Sequence, residues 1–159
     1  MSFTIRKATS DDMDGVLDLI KELALYEKEP DAVKIDAAAL RTYGLGEHPL
    51  FTCFVATIKE KVVGIAIVYP RFSTWAGKSL HLEDLIVSQD YRGRGIGQAL
   101  YDKVMLFAHE TDSKRVEWVV LDWNTNAIAF YEKSGVQFLK DWHLVQMDTN
   151  QLAAYVKKL

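Results

Sequence analysis

The chain has 159 residues, of which 49% are hydrophobic and 26% charged, a balance typical of one globular domain. Its formal net charge of −3 offers no broad basic surface, so we expect no nucleic-acid partner. The single cysteine excludes a disulfide framework and a cysteine zinc site. No apolar run reaches the roughly 18 residues of a membrane span, and no signal-peptide core precedes residue 13, so we expect a single cytoplasmic domain over 1–159 without a membrane partner.

The first half of the chain predicts one strand, two helices and three further strands. FTIRKA alternates apolar and polar residues, as a strand does, and residues 13–24 carry apolar side chains at helical spacing. A short second helix is predicted from Asp36 and ends at the glycines of GLG. LFTCFVATIKE, KVVGIAIVYPRF and KSLHLEDLIVS are then rich in strand formers, and Glu60-Lys61 predicts a hairpin between the first two, although it lacks an Asn-Gly turn.

The second half predicts further helices and strands. A helix with one apolar face is expected from Gly95 to Thr111, followed by a strand in RVEWVVLDW and a helix in NAIAFYEKSG that Gly135 ends. VQFLKDWHLVQMD predicts one or two closing strands, and TNQLAAYVKKL predicts a last helix. This order indicates an α/β (α+β) fold in which helices pack on a largely antiparallel sheet.

Three glycines lie between the third β-rich run and the next helix, in the segment Arg92–Gly97 (RGRGIG), which we call the glycine loop. The first amides of a helix have no intrahelical partner and carry partial positive charge, and glycines let a ligand approach the backbone closely. The loop therefore suits a phosphate or pyrophosphate, with a plain tight turn as the alternative. Gln98 stands where a Walker loop has lysine and where the dinucleotide fingerprint has glycine, so both motifs are excluded.

The pattern R-x-x-G-x-G resembles the loop of the GNAT family of N-acetyltransferases, and the resemblance covers nearly the whole chain. Four stretches are similar to the diamine (spermidine/spermine) acetyltransferase branch of that family: IKELALYEKE (20–29), GLGEHPLF (44–51), TWAGKSLHLEDLIVSQDYRGRGIG (74–97) and DWNTNAIAFYEKSG (122–135). The resemblance implies a mixed, mostly antiparallel sheet with helices on both faces and splayed central strands. It also implies acetyl-CoA as the acetyl donor, no metal, and a homodimer.

The chemistry of amine acetylation requires a proton acceptor and a proton donor. An amine is protonated at neutral pH, with a free pKa of about 10.4, and cannot attack a thioester until it loses a proton. By resemblance, Glu83 takes this proton and Tyr131 donates one to the departing thiolate. From the residues alone, Glu83 and Asp84 face opposite sides of a strand, so one of them could be a solvated carboxylate, and Tyr131 could be a core tyrosine.

The resemblance further implies which residues bind the two substrates. A small cationic amine would contact carboxylates and aromatic rings, namely Tyr26, Glu27, Glu83, Asp84 and Trp75, with Asp141 as a further candidate. A solvated helix end is the alternative for Glu27. The pantetheine arm, the pyrophosphate and the rest of the coenzyme would be bound by Leu85, Ile86, Val87, Arg92, Gly93, Arg94, Gly95, Ile96, Gly97, Gln98, Asn124, Asn126 and Ala127.

Several alternatives remain at the level of the sequence. The same branch contains enzymes that act on thialysine rather than on polyamines, so the acceptor could be of either kind. A peptide or protein N-acetyltransferase, a non-catalytic acyl-CoA-binding module and a partner-binding domain are the other possibilities, although a complete glycine loop with Glu83 and Tyr131 favours an enzyme. Cys53 lies in the middle of a predicted strand and is expected to be an inert buried thiol, and the four histidines show no metal-ligand spacing.

Overall fold

The computed structural model describes residues 2–159, which contain five strands and five helices. In chain order they are β1 (Thr4–Lys7), α1 (Met13–Tyr26), α2 (Ala37–Leu45), β2 (Thr52–Ile58), β3 (Lys61–Ser73), β4 (Gly77–Val87), α3 (Ile96–Glu110), β5 (Arg115–Glu117), α4 (Thr125–Glu132) and α5 (Thr149–Val156). They form two compact units. The first ends at Val119 and contains the sheet with α1 to α3, and the second, Val120–Leu159, contains α4 and α5.

The strands form one sheet in the order β1-β2-β3-β4-β5. The first three pairings are antiparallel and the last, β4 with β5, is parallel, which confirms the predicted mixed and mostly antiparallel sheet. The predicted hairpin between β2 and β3 turns through Lys59 and Glu60, whose φ angles are 47° and 66°. Two consecutive positive φ angles are what a tight type I′ hairpin turn needs, and here residues other than Asn-Gly supply them.

Helices cover both faces of the sheet, as predicted. Residues of α1 and α2 share one buried cluster with Val55, Ile65 and Ile86 of the sheet. On the other face, α3 buries its apolar side against Phe54, Leu82 and other strand residues. Because side chains alternate along a strand, β2, β3 and β4 contribute to both cores, and the sheet is held between the two layers of helices.

The last strand is shorter than the sequence predicts. RVEWVVLDW forms a strand only at Arg115–Glu117, where it pairs with Ser79–His81 of β4. The ladder ends there, although β4 continues to Val87 with β3 on its other side. The two strands therefore stop pairing half-way along β4, which is the splay that the resemblance implied.

The prediction of closing strands over residues 136–148 is wrong. This segment contains no strand, and its apolar side chains Trp142, Leu144 and Val145 are exposed. An alternating pattern forms a stable strand only where a neighbouring strand takes its hydrogen bonds and a packed surface buries one face. The last helix is confirmed as α5, which begins with a capping box between Asp148 and Gln151.

Candidate active site

The second half of β4 is hydrogen-bonded on one side only. β5 pairs with Ser79–His81, whereas β3 follows β4 as far as Val87. Within the described sheet, the backbone of Leu82–Val87 therefore has no strand on the side away from β3. An extended molecule that carries amide groups can bind such an edge as an added strand would. The predicted pantetheine-binding residues Leu85, Ile86 and Val87 all lie on it.

The glycine loop connects this strand with α3 through a 3₁₀ turn. Gly93 and Gly95 have φ angles of 73° and 79°, in the left-handed region that residues with a Cβ rarely adopt. A Cβ built on either glycine would meet no atom within 4 Å, so open space adjoins the loop. The 15-residue helix α3 begins directly after Gly95, and its first amides have no intrahelical partners. Open space, free amides and the positive end of a helix fit a pyrophosphate.

Both arginines of the loop are held by the backbone of the same region. Arg92 Nε donates to the carbonyl oxygen of Val87 at 2.9 Å, and Arg94 Nη2 donates to that of Asp90 at 3.1 Å. The guanidinium carbon of Arg92 also lies 5.4 Å from the ring centroid of Tyr26 at the end of α1. Their positive charges are thus kept near the loop, and Tyr26, predicted on the amine side, lies beside Arg92.

A β-bulge in β4 places two carboxylates on one face of the sheet. Asp84 and Leu82 pair with consecutive residues of β3, so Glu83 between them is an extra residue without a partner there. Leu82 and Leu85 both pack in the core beneath α3. Glu83 and Asp84 therefore both point to the opposite face, the one covered by α1. The expectation that they face opposite sides is wrong, because a regular strand was assumed.

Glu83, Asp84 and Glu27 form an acidic cluster in the first unit. Burial, followed by the negative charges of Glu83 and Glu27, raises the pKa of Asp84 to about 6. Burial also raises the pKa of Glu27, the residue that ends α1. The side chain of Glu83 is 52% exposed, so this carboxylate is the most exposed of the three. A cluster that is destabilised by its own charges is stabilised when a cation binds, which suits a protonated amine.

Neutralising Asp84 is expected to stabilise the fold above pH 6. Because its folded pKa of about 6 exceeds the unfolded value of 3.8, ionisation of the carboxyl destabilises the folded chain as pH rises between these values. The stability gained by Asp84→Asn should therefore grow by on the order of 2 kcal/mol between pH 4.5 and pH 7. Urea unfolding at both pH values measures this gain. Asp31→Asn, at an exposed position, is the matched control and should show no such growth.

Four further side chains, from β3, β4 and β5, form a connected polar group that reaches Glu83 through His81. The rings of Tyr69 and His81 have centroids 4.9 Å apart at an interplanar angle of 31°, and His81 Nε2 lies 3.5 Å from Glu83 Oε2. Arg71 contacts the His81 ring and forms an ion pair with Glu117. Polar residues recur at alternate positions of both strands, but the sequence does not give the register that pairs Tyr69 with His81.

Four predicted residues, Asn124, Asn126, Ala127 and Tyr131, belong to the second unit. Asn124 caps α4, where its side-chain oxygen accepts a hydrogen bond from the amide of Ala127 at 3.2 Å. Asn126 is exposed in the first turn of the same helix. Tyr131 is buried near the helix end, with its ring 5.3 Å from that of Phe130 in an edge-to-face arrangement. The catalytic role of Tyr131 and the coenzyme contacts of Asn124, Asn126 and Ala127 stay predictions.

A comparison with protein-family models matches residues 14–136 to the Acetyltransferase (GNAT) family. The match spans most of both the sheet and the helices described above. The chain belongs to the GNAT family. It is therefore an N-acetyltransferase, in agreement with the resemblance noted from the glycine loop.

Relatives of known activity place this acetyltransferase in the predicted branch. It is 39% identical over 155 residues to thialysine N-epsilon-acetyltransferase of Bos taurus, with 91% of each chain covered. It is 35% identical over 160 residues to spermidine/spermine N(1)-acetyltransferase-like protein 1 of Homo sapiens, covering 94% of this chain and 23% of that one. Among solved structures, an integron cassette protein of V. cholerae superposes with a TM-score of 0.79 at 24% identity and 99% coverage of both chains, which confirms the fold.

The donor used by GNAT acetyltransferases is acetyl-CoA, and the geometry of this enzyme fits that molecule. The open edge of β4 matches the amide groups of pantetheine, and the glycine loop matches the pyrophosphate. Within residues 2–159, no group of three or more histidine, cysteine or acidic side chains is arranged to hold a metal ion. The same residues contain no helix long and apolar enough to cross a membrane.

Two further predictions concern residues away from the acidic cluster. Trp75 lies in the turn between β3 and β4 and is 85% exposed. Glu83 lies six residue steps along β4 from Gly77, or roughly 20 Å of strand, so the structure does not bring Trp75 to the carboxylates. Cys53 is buried in β2, and burial raises the pKa of its thiol to about 12. Such a thiol stays protonated at neutral pH, which supports its prediction as inert.

Replacing Gly95 by alanine is expected to impair both folding and coenzyme binding. A Cβ in the left-handed region costs about 1–2 kcal/mol, and relief of this strain would move the loop, which should raise KM for acetyl-CoA about tenfold. Thermal unfolding and steady-state kinetics measure the two effects. Gly77→Ala is the matched control, because Gly77 has a φ of 90° and equally open space in the β3–β4 turn. It should lose similar stability with KM for acetyl-CoA unchanged.

Proposed function

We propose that this enzyme transfers an acetyl group from acetyl-CoA directly to a primary amine of a small cationic molecule, either thialysine-like or a diamine or polyamine. The observation that carries the proposal is the β-bulge. It places Glu83 and Asp84, the second of which interacts with Glu27, on one face of the sheet and within the open edge of β4. Carboxylates that attract a cation thus adjoin the edge that fits the acetyl donor.

In this proposal, the open edge and the glycine loop hold the coenzyme, which supplies an acetyl group activated as a thioester. Leu85, Ile86 and Val87 offer backbone groups to the pantetheine arm, and the amides of the glycine loop, with Arg92 and Arg94, bind the pyrophosphate. Binding of the coenzyme by Gln98, Asn124, Asn126 and Ala127 rests on the family resemblance.

In this proposal, one residue of the chain accepts a proton and another donates one. Glu83 accepts the proton of the incoming ammonium through a water molecule, since its carboxylate is half-exposed and faces the acidic cluster. Tyr131 holds a proton on its hydroxyl for the coenzyme sulfur that departs. No acyl-enzyme forms, because the buried thiol of Cys53 stays protonated.

The acceptor is a cation in this proposal because acidic and aromatic groups converge near Glu83. Asp84 and Glu27 supply negative charge, and Tyr26 at the end of α1 supplies a ring face that already contacts one cation, Arg92. The relatives include a thialysine N-epsilon-acetyltransferase and a spermidine/spermine N(1)-acetyltransferase-like protein, and thialysine, spermidine and spermine are all small cationic amines. Asp141 is retained as a predicted contact with resemblance as its only support, whereas Trp75 is not retained, because the β3–β4 turn that carries it lies far from the carboxylates.

The test is the release of free thiol from acetyl-CoA with thialysine, lysine, spermidine, putrescine and a peptide amine offered separately. A kcat/KM for one small cationic amine well above that for the peptide supports the proposal. Preference for the peptide would favour a protein N-acetyltransferase of the same fold. Binding of coenzyme A without thiol release on any amine would favour a non-catalytic module and contradict the roles of Glu83 and Tyr131.

We also propose that the enzyme is a homodimer in the cytoplasm, as the resemblance and the single cysteine suggest. Support for the dimer comes from the second unit, where Leu139, Trp142, Leu144 and Val145 are more than half exposed. Apolar side chains clustered in one segment are typical of a surface that another chain covers. Light scattering on the purified enzyme should give twice the chain mass, and a single chain mass would overturn the dimer. Cell fractionation tests the location.

A further inference from the structure

We propose that His81 is a positioning residue for Glu83, which it orients through a hydrogen bond from its Nε2–H, and that Arg71 and Glu117 fix the histidine tautomer that makes this possible. The inference rests on the proposed function, in which Glu83 accepts the amine proton. It assigns a role to a group of side chains that the mechanism above does not use.

The positions of these side chains follow from the register of the sheet. Tyr69 pairs with His81 across β3 and β4, and His81 pairs with Glu117 across β4 and β5. The bulge leaves Glu83 on the same face as His81, two residues further along. Three adjacent strands thus contribute to a single row of polar side chains that ends at the exposed carboxylate of Glu83.

The protonated nitrogen of His81 can be assigned from its neighbours. Arg71 Nη1 lies 3.5 Å from His81 Nδ1, and a guanidinium can only donate hydrogen bonds. Nδ1 must therefore be the acceptor, and the proton of the neutral ring resides on Nε2. Nε2 is the nitrogen that lies 3.5 Å from Glu83 Oε2, longer than an ordinary hydrogen bond, and hydrogen bonds of catalytic groups are often long until substrate binds.

Arg71 is itself held in place by Glu117. Arg71 forms an ion pair with Glu117, whose other oxygen lies 2.8 Å from Arg115 Nη2. Burial, and then the charge of Arg71, lower the pKa of His81, against the opposing charges of Glu83 and Glu117. The ring is consequently neutral at pH 7, so it orients Glu83 without neutralising its charge.

Tyr69 completes the support of the carboxylate. Its ring packs against that of His81 at an interplanar angle of 31°. Burial, followed by the charge of Glu83 and a hydrogen bond to it, raises the pKa of the Tyr69 phenol, which therefore stays protonated and able to donate. Glu83 thus has two donor groups beside it on rings that contact each other, and a base held in this way spends more time in the productive orientation.

The experiment compares two amide replacements of His81, each made alone and together with Glu83→Gln. The side-chain NH₂ of glutamine can occupy the position of Nε2, whereas that of asparagine reaches only the position of Nδ1. His81→Asn should lower kcat for the preferred amine about tenfold to a hundredfold with both KM values unchanged, and His81→Gln should restore most of it. In the Glu83→Gln background, His81→Asn should have no further effect on kcat.

Each other outcome overturns the inference. Parental kcat in His81→Asn, an equal loss in both replacements accompanied by a lower melting temperature, or an undiminished effect of His81→Asn in the Glu83→Gln background would show that His81 does not act through Glu83. These results leave the proposed function intact if Glu83→Gln itself is impaired. Parental kcat in Glu83→Gln would instead overturn the proposed base, and with it the inference.

Discussion

Replacing Tyr131 with phenylalanine is expected to lower kcat by about 10² to 10³-fold, the range typical of a lost general acid, while the Kd for coenzyme A stays unchanged. The substitution removes only the hydroxyl, so the buried ring and its contact with Phe130 are kept. Without a donor, the coenzyme sulfur must depart as a thiolate, and the barrier to its departure rises. Steady-state kinetics with the preferred amine and calorimetric titration with coenzyme A measure the two quantities.

A matched control separates the loss of a proton donor from the loss of a buried hydroxyl. Tyr101 in α3 is similarly buried and also makes an edge-to-face contact, with Trp118. Tyr101→Phe should therefore leave kcat unchanged. If the two variants have the same kcat, Tyr131 is a core tyrosine, as the sequence alone allowed, and another group or water protonates the thiolate.

Glu83→Gln is expected to lower kcat/KM for the amine by about 10² to 10⁴-fold at neutral pH. The amide keeps the size of the side chain but cannot accept a proton from the water that deprotonates the ammonium. Raising the pH towards the free pKa of the amine, about 10.4, should recover much of the loss, because the substrate then arrives already neutral. Rates measured between pH 7 and pH 9.5 test this directly.

The control for Glu83 is Glu110→Gln, which removes one negative charge from an exposed position at the end of α3. It should show parental kinetics at every pH. A Glu83→Gln enzyme whose deficit stays constant from pH 7 to pH 9.5 would contradict a role in deprotonation. Its carboxylate would then serve only to attract the cation.

Much of the fold could be predicted because local signals and tertiary packing agree. The apolar spacing of α1 and α3 predicts amphipathic helices, and each buries its apolar side on the sheet. Predictions fail where a strand-like pattern can form a strand only by pairing with a strand that is distant in the sequence. Residues 136–148 have the alternation of a strand, yet alternation does not specify which strand accepts the hydrogen bonds, and none does within the described chain.

The candidate site shows the same division. The glycine loop could be recognised from the sequence because glycine is the residue type that most readily adopts positive φ angles. Gly93 and Gly95 do adopt such left-handed φ angles. The bulge at Glu83 has no such signal, since one extra residue in a ladder depends on the register with β3. The side chains around His81 were missed for the same reason, because they come together only when three strands are placed in register.

The splay of the sheet has a consequence for the enzyme in the absence of its substrates. β4 is a central strand as far as His81 and an edge strand from Leu82 to Val87, where the bulge and the charges of Glu83 and Asp84 interrupt its apolar residues. Bulges and charged side chains on an edge hinder its pairing with a second molecule, which would otherwise lead to aggregation. The two carboxylates proposed to attract the amine therefore also protect the enzyme without substrates from self-association.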